Sequence, residues 1–373
     1  MKMKLRFVSL AAMLFALLSP LAASAADQHP QSLKYKPMFK VLRYHGTKAF
    51  LGITGGIPSW NGSFTYKMQT YHYTMVGTNP AKSGATTTIP VYIIPIKMVF
   101  GKTNGAMTFD PVTKKLHGHT IVENVINSPI FDGSLDFNQG GTDLGTTQYL
   151  DAYQRGNFWS SVSTLHPTYH VLLGTPTVLA EQTIHVKPSQ GLVVSAFGVT
   201  AGLMNIDDYD TIVQGYIASF AQLNPKVLAI FVTYNIYLSS NTDLTGCCIG
   251  GYHSYNGVNT YMSASYMGTV GAFAQDVSAL SHEVGEWMDD PFANNIDVPA
   301  ACGINGNQQQ ILENGDPEEG DANFGGYPYL LNGLTYNLQD LVFVSYFGAP
   351  ASKSVNGWRT FQGIPLSVCQ NGG

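Results

Sequence analysis

Ser281-His282-Glu283-Val284-Gly285-Glu286-Trp287-Met288-Asp289-Asp290-Pro291 reads as a helix with chemistry along one side. Val277, Leu280, Val284, Trp287 and Met288 recur at helical spacing and make an apolar stripe. His282, Glu286 and Asp289 fall on the other side, flanked by Glu283 and Asp290. Asp276 is expected as N-terminal cap or first-turn acid, and Pro291 stops the helix. An imidazole and a carboxylate at i and i+4 share one face, with Cβ atoms about 6 Å apart, so both can grip one metal ion. Glu283, one residue on, reaches a metal-bound water without itself being a ligand.

The pattern His-Glu-x-x-Glu is a near relative of the His-Glu-x-x-His zinc-hydrolase signature, with Glu286 where the second histidine would stand. A catalytic zinc typically has about three protein ligands plus water, so a third ligand has to come from elsewhere. The strongest source is Glu313-Asn314-Gly315-Asp316-Pro317, which runs on as Glu318-Glu319-Gly320-Asp321. Either Glu313 or Asp316 serves, as in gluzincins and aspzincins, where a loop returns an acid to a helix-borne pair. The same run suits calcium, because hard cations prefer many oxygens. Zinc is therefore the expected cofactor and calcium the alternative. Two carboxylate ligands nearly neutralise zinc and leave its water less acidic than the pKa of about 7 reached under histidine-rich ligation. Glu283 then has to be a strong general base. Asp289 and Asp290 are expected to orient His282, since ligating histidines usually need such partners.

His253 closes the run Cys247-Cys248-Ile249-Gly250-Gly251-Tyr252-His253, read as a loop ahead of the helix. It can line the same cleft as a ligand, a hydrogen-bond donor or a substrate contact. His117 and His119 form an H-x-H pair that reads as loop. No Gly-rich phosphate loop, G-x-S-x-G elbow or catalytic-cysteine pattern occurs.

The chain begins with an export signal. Lys2, Lys4 and Arg6 precede an apolar stretch from Phe7 to Ala22, and Ala23-Ser24-Ala25 is a small-residue cleavage site. No later run is apolar and uninterrupted for about 18 residues, so no membrane span is expected after cleavage. The protein is expected to be secreted, to the periplasm or the medium. Removing the three basic residues of the leader leaves 16 basic against 24 acidic residues, a balance of −8, which argues against a nucleic-acid partner. Charged residues make up only 12% of the chain, about half the usual share. An oxidising compartment favours disulfides among Cys247, Cys248, Cys302 and Cys369. A bridge between the adjacent pair needs a strained peptide, so Cys247 and Cys248 are each expected to join one of the distant two.

The pass along the chain divides it into a signal peptide (1–25), a flexible lead-in (26–44) and one domain (45–373). Strands are expected at Ser63 to Val76, Thr87 to Phe100 and Val227 to Leu238, with shorter ones between Tyr169 and Val186 and at Tyr261 to Met267. Helices are expected at Glu123 to Pro129, Thr146 to Val162 and Asp207 to Leu223. Asn294 to about Leu330 reads as long polar loop. Alternating strands and helices indicate an α+β fold with a mixed sheet, loop-rich and disulfide-containing. A strand leading through a turn into the His282 helix suits a zincin-like arrangement.

The block His282-Glu283-x-x-Glu286-x-x-x-Asp290-Pro291 resembles the H-E-x-x-E-x-x-x-D-P signature of the EXORDIUM-like, phosphate-induced family and its bacterial relatives. Cys248 through His253 is similar to that family's upstream Cys-Gly-x-His loop, and Glu313 through Asp316 to its downstream Glu-x-Gly/Ala-Asp segment. The blocks share the family's order over roughly residues 245–320. Where the family often carries a Cys, this chain has Glu318. The resemblance implies an exported protein with a zincin-like helix. The expected function is a zinc-dependent hydrolase acting on peptides or another extracellular polymer. The alternative is a noncatalytic cell-surface binding protein that recognises glycans through its many tyrosines.

Overall fold

The computed structural model describes residues 37–42, 56–66, 68–139, 142–257, 259–295, 312–343, 347 and 359–363. The expected export signal (1–25), most of the expected lead-in, Cys302 and Cys369 lie outside the described residues. The fold is α+β, built on a mixed sheet of eleven strands.

The strands of this sheet used below are β1 (Met38–Leu42), β2 (Val91–Phe100), β3 (Thr177–Val178), β4 (Gln182–Val186), β5 (Gly191–Ala196), β6 (Val199–Asn205), β7 (Leu228–Tyr234), β8 (Ile236–Ser239), β9 (Cys247–Asn256) and β10 (Asn259–Tyr266). Their order is β3-β2-β7-β10-β9-β8-β6-β5, with β4 also alongside β2 and β1 alongside β9. The β3-β2-β7-β10 half is parallel, and β10-β9-β8 is antiparallel.

Alternation along the central strands decides what each face packs against. Val91, Ile93, Leu228, Ile230 and Val232 point into one core, with Leu280, Val284, Trp287 and Met288 of helix α5 (Ser278–Asp289). Ile94, Ile96, Ala229 and Phe231 point into a second core, closed by Ile206, Tyr209, Val213 and Ile217 of helix α4 (Ile206–Ser219). The two-residue period of a strand makes such a two-faced core. Both faces are covered, so the strands read as nearly continuous apolar runs.

The expected apolar stripe of α5 is buried as predicted. The polar side is buried as well, and every residue of the helix is out of solvent. Helix α2 (Tyr149–Asn157), β9, β10 and the hairpin Gly326–Leu331/Leu334–Gln339 surround it. No helix among the described residues is long and apolar enough to cross a membrane.

Several expectations need correction. The Gly-rich cysteine segment is the buried strand β9, because β10 pairs with it from Gly251 to Asn256. Residues 38–42 of the lead-in form β1, which pairs in parallel with β9. Cys247 and Cys248 are bonded to each other across a cis peptide that brings their Cα atoms to 3.0 Å, in place of the expected long-range pairing. Asp276 does not cap α5, whose N-cap is Val277. Its carboxylate instead accepts the Asn337 amide at 2.9 Å and Asn337 Nδ2 at 2.8 Å, tying the C-terminal hairpin to the start of the helix.

Ser63 to Val76 is a hairpin, Ser59–Tyr66 with Gln69–Val76, rather than one strand. Helix α1 is Ile121–Ile126, and Thr146 to Val162 is two helices, α2 and α3 (Trp159–Thr164). His117 lies in the tight turn between two two-residue strands, and His119 begins the second of them.

Candidate metal centre

Helix α5 places His282 and Glu286 one turn apart, and Nε2 of the first lies 2.8 Å from Oε1 of the second. The downstream loop crosses the helix at this point, as the sequence suggested. Gly315 makes the crossing possible. A Cβ there would lie 2.1 Å from His282 Nδ1, so only glycine lets the backbone lie on the imidazole. The Gly315 amide donates to Glu286 Oε1 at 3.1 Å. Asp316, next along, brings Oδ1 to 3.7 Å from His282 Nε2.

His253 comes from β9 on the other side. Its Nδ1 lies 3.1 Å from Glu283 Oε2 and 3.9 Å from Glu286 Oε2, and its Nε2 lies 3.8 Å from Glu313 Oε1. Gly251 provides the room, because a Cβ there would meet Glu283 Oε1 at 2.9 Å. A glycine inside a strand often marks such an approach, and Gly250-Gly251 ahead of His253 is the signal that could have moved this histidine from loop to site. The sequence offered His253 on a loop lining the cleft, as a ligand, a hydrogen-bond donor or a substrate contact. The structure brings it into the same cluster as Glu283 and Glu286, while His282, Glu286 and Asp316 form an overlapping group. Glu286 belongs to both.

Asp289 and Asp290 do not orient His282. The Asp289 carboxylate accepts from Tyr153 at 3.2 Å, Asn157 Nδ2 at 3.4 Å, Gln154 and Asn314, and so joins α5 to α2 and to the loop. Asp290 accepts the backbone amides of Asn294 and Asn295 at 2.8 and 3.3 Å, closing the helix end. His282 Nδ1 has no hydrogen-bond partner.

The electrostatics of the cluster are unusual. His253, His282, Glu283 and Glu286 are all 0% exposed. No lysine or arginine among the described residues pairs with Glu283, Glu286 or Glu313. Burial, reinforced by the Glu286 charge, pushes both Glu283 and Glu313 well above the usual carboxylate range. Burial also opposes ionisation of Glu286, but His282 outweighs it and holds that carboxyl low. Burial pushes His253 down to about 4, against the pull of Glu286, so its ring is neutral at physiological pH. Neutral imidazole is the form that binds metals.

His253 Nε2, Glu283 Oε1, Glu286 Oε2 and Glu313 Oε1 have no hydrogen-bond partner, and His282 Nε2 faces only Glu286 Oε1 and Asp316. Leaving buried donors and acceptors unmade is costly, and their convergence is what a bound cation would relieve. Ligand atoms around a tetrahedral zinc lie about 3.3 Å apart for bonds of about 2.05 Å, close to the spacings in this cluster. The donor set therefore fits a divalent cation.

The acidic run splits in two. Asp316 and Glu319 add to the field at Glu283. Glu318 turns elsewhere: burial, then Asp340 and Asp321, raise it to about 9. A single calcium loop would need these oxygens together.

Two tests arise here. Gly315→Ala should weaken zinc binding by about 10–100-fold, the loss expected when a ligand's support is disturbed. Zinc titration against a competing chelator measures it, and unchanged affinity would show that the loop can shift freely. The second concerns Asp340, whose Oδ2 lacks a partner and which burial raises to about 7. A carboxyl raised in the folded state contributes stability that is complete below its unfolded pKa of about 4 and is lost as pH rises through the folded value. Lowering the pH from 8 to 5 should thus stabilise the zinc-free protein, with this group giving on the order of 2 kcal/mol. Asp340→Asn should remove that share. Urea midpoints at both pH values decide, and a variant with the wild-type pH response would refute the assignment.

No protein-family model matches this chain, and no curated protein and no solved structure matches it either.

Proposed function

We propose that this chain is an exported, zincin-like zinc hydrolase that cleaves peptide bonds. The observation that carries the reading is the buried clustering of His253, His282, Glu283 and Glu286 in two groups that share Glu286, with Glu313 and Asp316 alongside and His253 Nε2, Glu283 Oε1, Glu286 Oε2 and Glu313 Oε1 unpartnered. His282 and Glu286 would hold the zinc, with His253 and either Glu313 or Asp316 completing the set. Two histidines answer the concern that a His-Glu-acid set leaves zinc nearly neutral. When bound, zinc supplies a Lewis acid that acidifies a water and polarises the scissile carbonyl. Glu283 takes the proton from the attacking water and delivers it to the departing amine, so water is added across the amide. Its Oε1 has no other partner to compete for that proton. His253 Nδ1, 3.1 Å from Glu283 Oε2, keeps the carboxyl aimed. The three-block likeness to the EXORDIUM-like family over roughly residues 245–320 supports the same helix-and-loop plan, and the leader supports export.

The total burial of these side chains favours a second reading, a noncatalytic extracellular binding protein that keeps the fold. The test is a broad peptide library incubated with the zinc-supplied protein, with products read by mass spectrometry. Cleavage that a chelator abolishes and zinc restores is expected. Absence of any cleavage with zinc bound would favour the binding protein.

A further inference from the structure

Residues Tyr252, His253 and Ser254 have a strand on each edge. β10 takes one edge through Ser263, Met262 and Tyr261. β1 takes the other through Lys40, Val41 and Leu42. Among the described residues no other strand pairs with that second edge. Were β1 to leave, unpaired amides and carbonyls would run beside His253, and such an edge accepts an extended chain.

The break in the β1 register falls between Met38 and Lys40, and Phe39 sits in it. Its ring stacks on His282, with centroids 3.8 Å apart and planes 30° apart. Phe273 packs on it at 4.9 Å. A Cβ at Gly250 would lie 3.1 Å from the Phe39 ring, so the strand glycine leaves the space it fills. The Phe39 amide donates to the buried Glu319 Oε1. One residue thus covers the helix histidine, occupies a shaped apolar slot and bonds the acidic loop. A flexible lead-in would do none of this.

We propose that Met38–Leu42 is a strap seated in the groove where an extended polypeptide binds, and that the centre opens when the strap leaves. Naming a polypeptide as the occupant rests on the hydrolase reading above. The strap shows what that groove accepts: backbone paired along Tyr252 to Ser254, with a large aromatic or apolar side chain stacked on His282. Substrates with such a residue are expected to bind best.

The experiment compares full-length wild type with Phe39→Ala. In zinc-free protein, carbethoxylation of His282 by diethylpyrocarbonate is followed by peptide mapping. Removing the cover should raise the rate about tenfold or more, because reaction follows the open population. Phe39→Leu fills the slot without stacking, decides the matter should Phe39→Ala fail to fold, and should show a smaller rise. An excess of a synthetic peptide of residues 34–44 should slow the variants again, and the same peptide carrying Phe39→Ala should not. In zinc-loaded protein, peptide cleavage should rise in parallel. Wild-type carbethoxylation rates in the folded variants would overturn the strap. A protein that takes up no zinc and cleaves nothing would overturn the hydrolase reading alone, since His282 modification still reports the cover.

Discussion

His282→Ala should leave the protein unable to hold zinc. The imidazole Nε2 lies within 4 Å of both Glu286 and Asp316, and no other nitrogen in that group replaces it. Removing it leaves a single imidazole, His253, with carboxylates from separate segments, and takes away the only nitrogen on the Glu286–Asp316 side of the group. Affinity should fall by about 10³-fold or more, beyond the 10–100-fold that loss of an outer partner costs. Competition with a chromogenic chelator measures this, with circular dichroism as the check on folding. Retention of wild-type affinity would remove His282 from the site. His253→Ala should also weaken binding, and the size of that loss separates a ligand from a neighbour that only aims Glu283.

Glu283→Gln should behave in the opposite way toward metal and catalysis. Glutamine keeps the shape beside Gly251 and His253 but cannot accept and hold a proton. Zinc stoichiometry should be unchanged while hydrolysis falls by about 10²-fold or more. The zinc-free variant should be no less stable than wild type at pH 8. Burial raises the Glu283 carboxyl well above its ordinary range, so ionising it in the folded state opposes folding, and the amide carries no such charge. Unchanged turnover would place the base elsewhere or support the noncatalytic reading.

The parts of this site that were legible in the sequence are those set by local rules. The i, i+4 pair His282 and Glu286 needs only helical spacing, and the stripe from Leu280 to Met288 announced which side packs. The acids of residues 313–316 were legible because a nearby loop has few other reasons to be so charged. What failed was long-range. β1 was hidden because its pairing with β9 and its stacking on His282 join segments far apart in the chain, and the flanking residues are polar. His253 was named as a cleft residue, but its strand setting was hidden because Gly-Gly-Tyr-His has the composition of a loop, while the strand geometry comes from β10. Asp289 and Asp290 were read by proximity along the helix. Their partners, Tyr153, Asn157 and the amides of Asn294 and Asn295, show that they fasten the helix to its surroundings instead. The α+β class was readable from alternation of elements. The strand order was not, because pairing across β9 depends on contacts that no local pattern encodes.

Native mass spectrometry of the gently purified wild-type chain tests the centre most directly. One zinc per chain is expected, retained in Glu283→Gln and lost in His282→Ala. A wild-type chain that carries no zinc after zinc has been supplied would contradict it. So would calcium whose content follows Glu318 and Asp321 rather than His282.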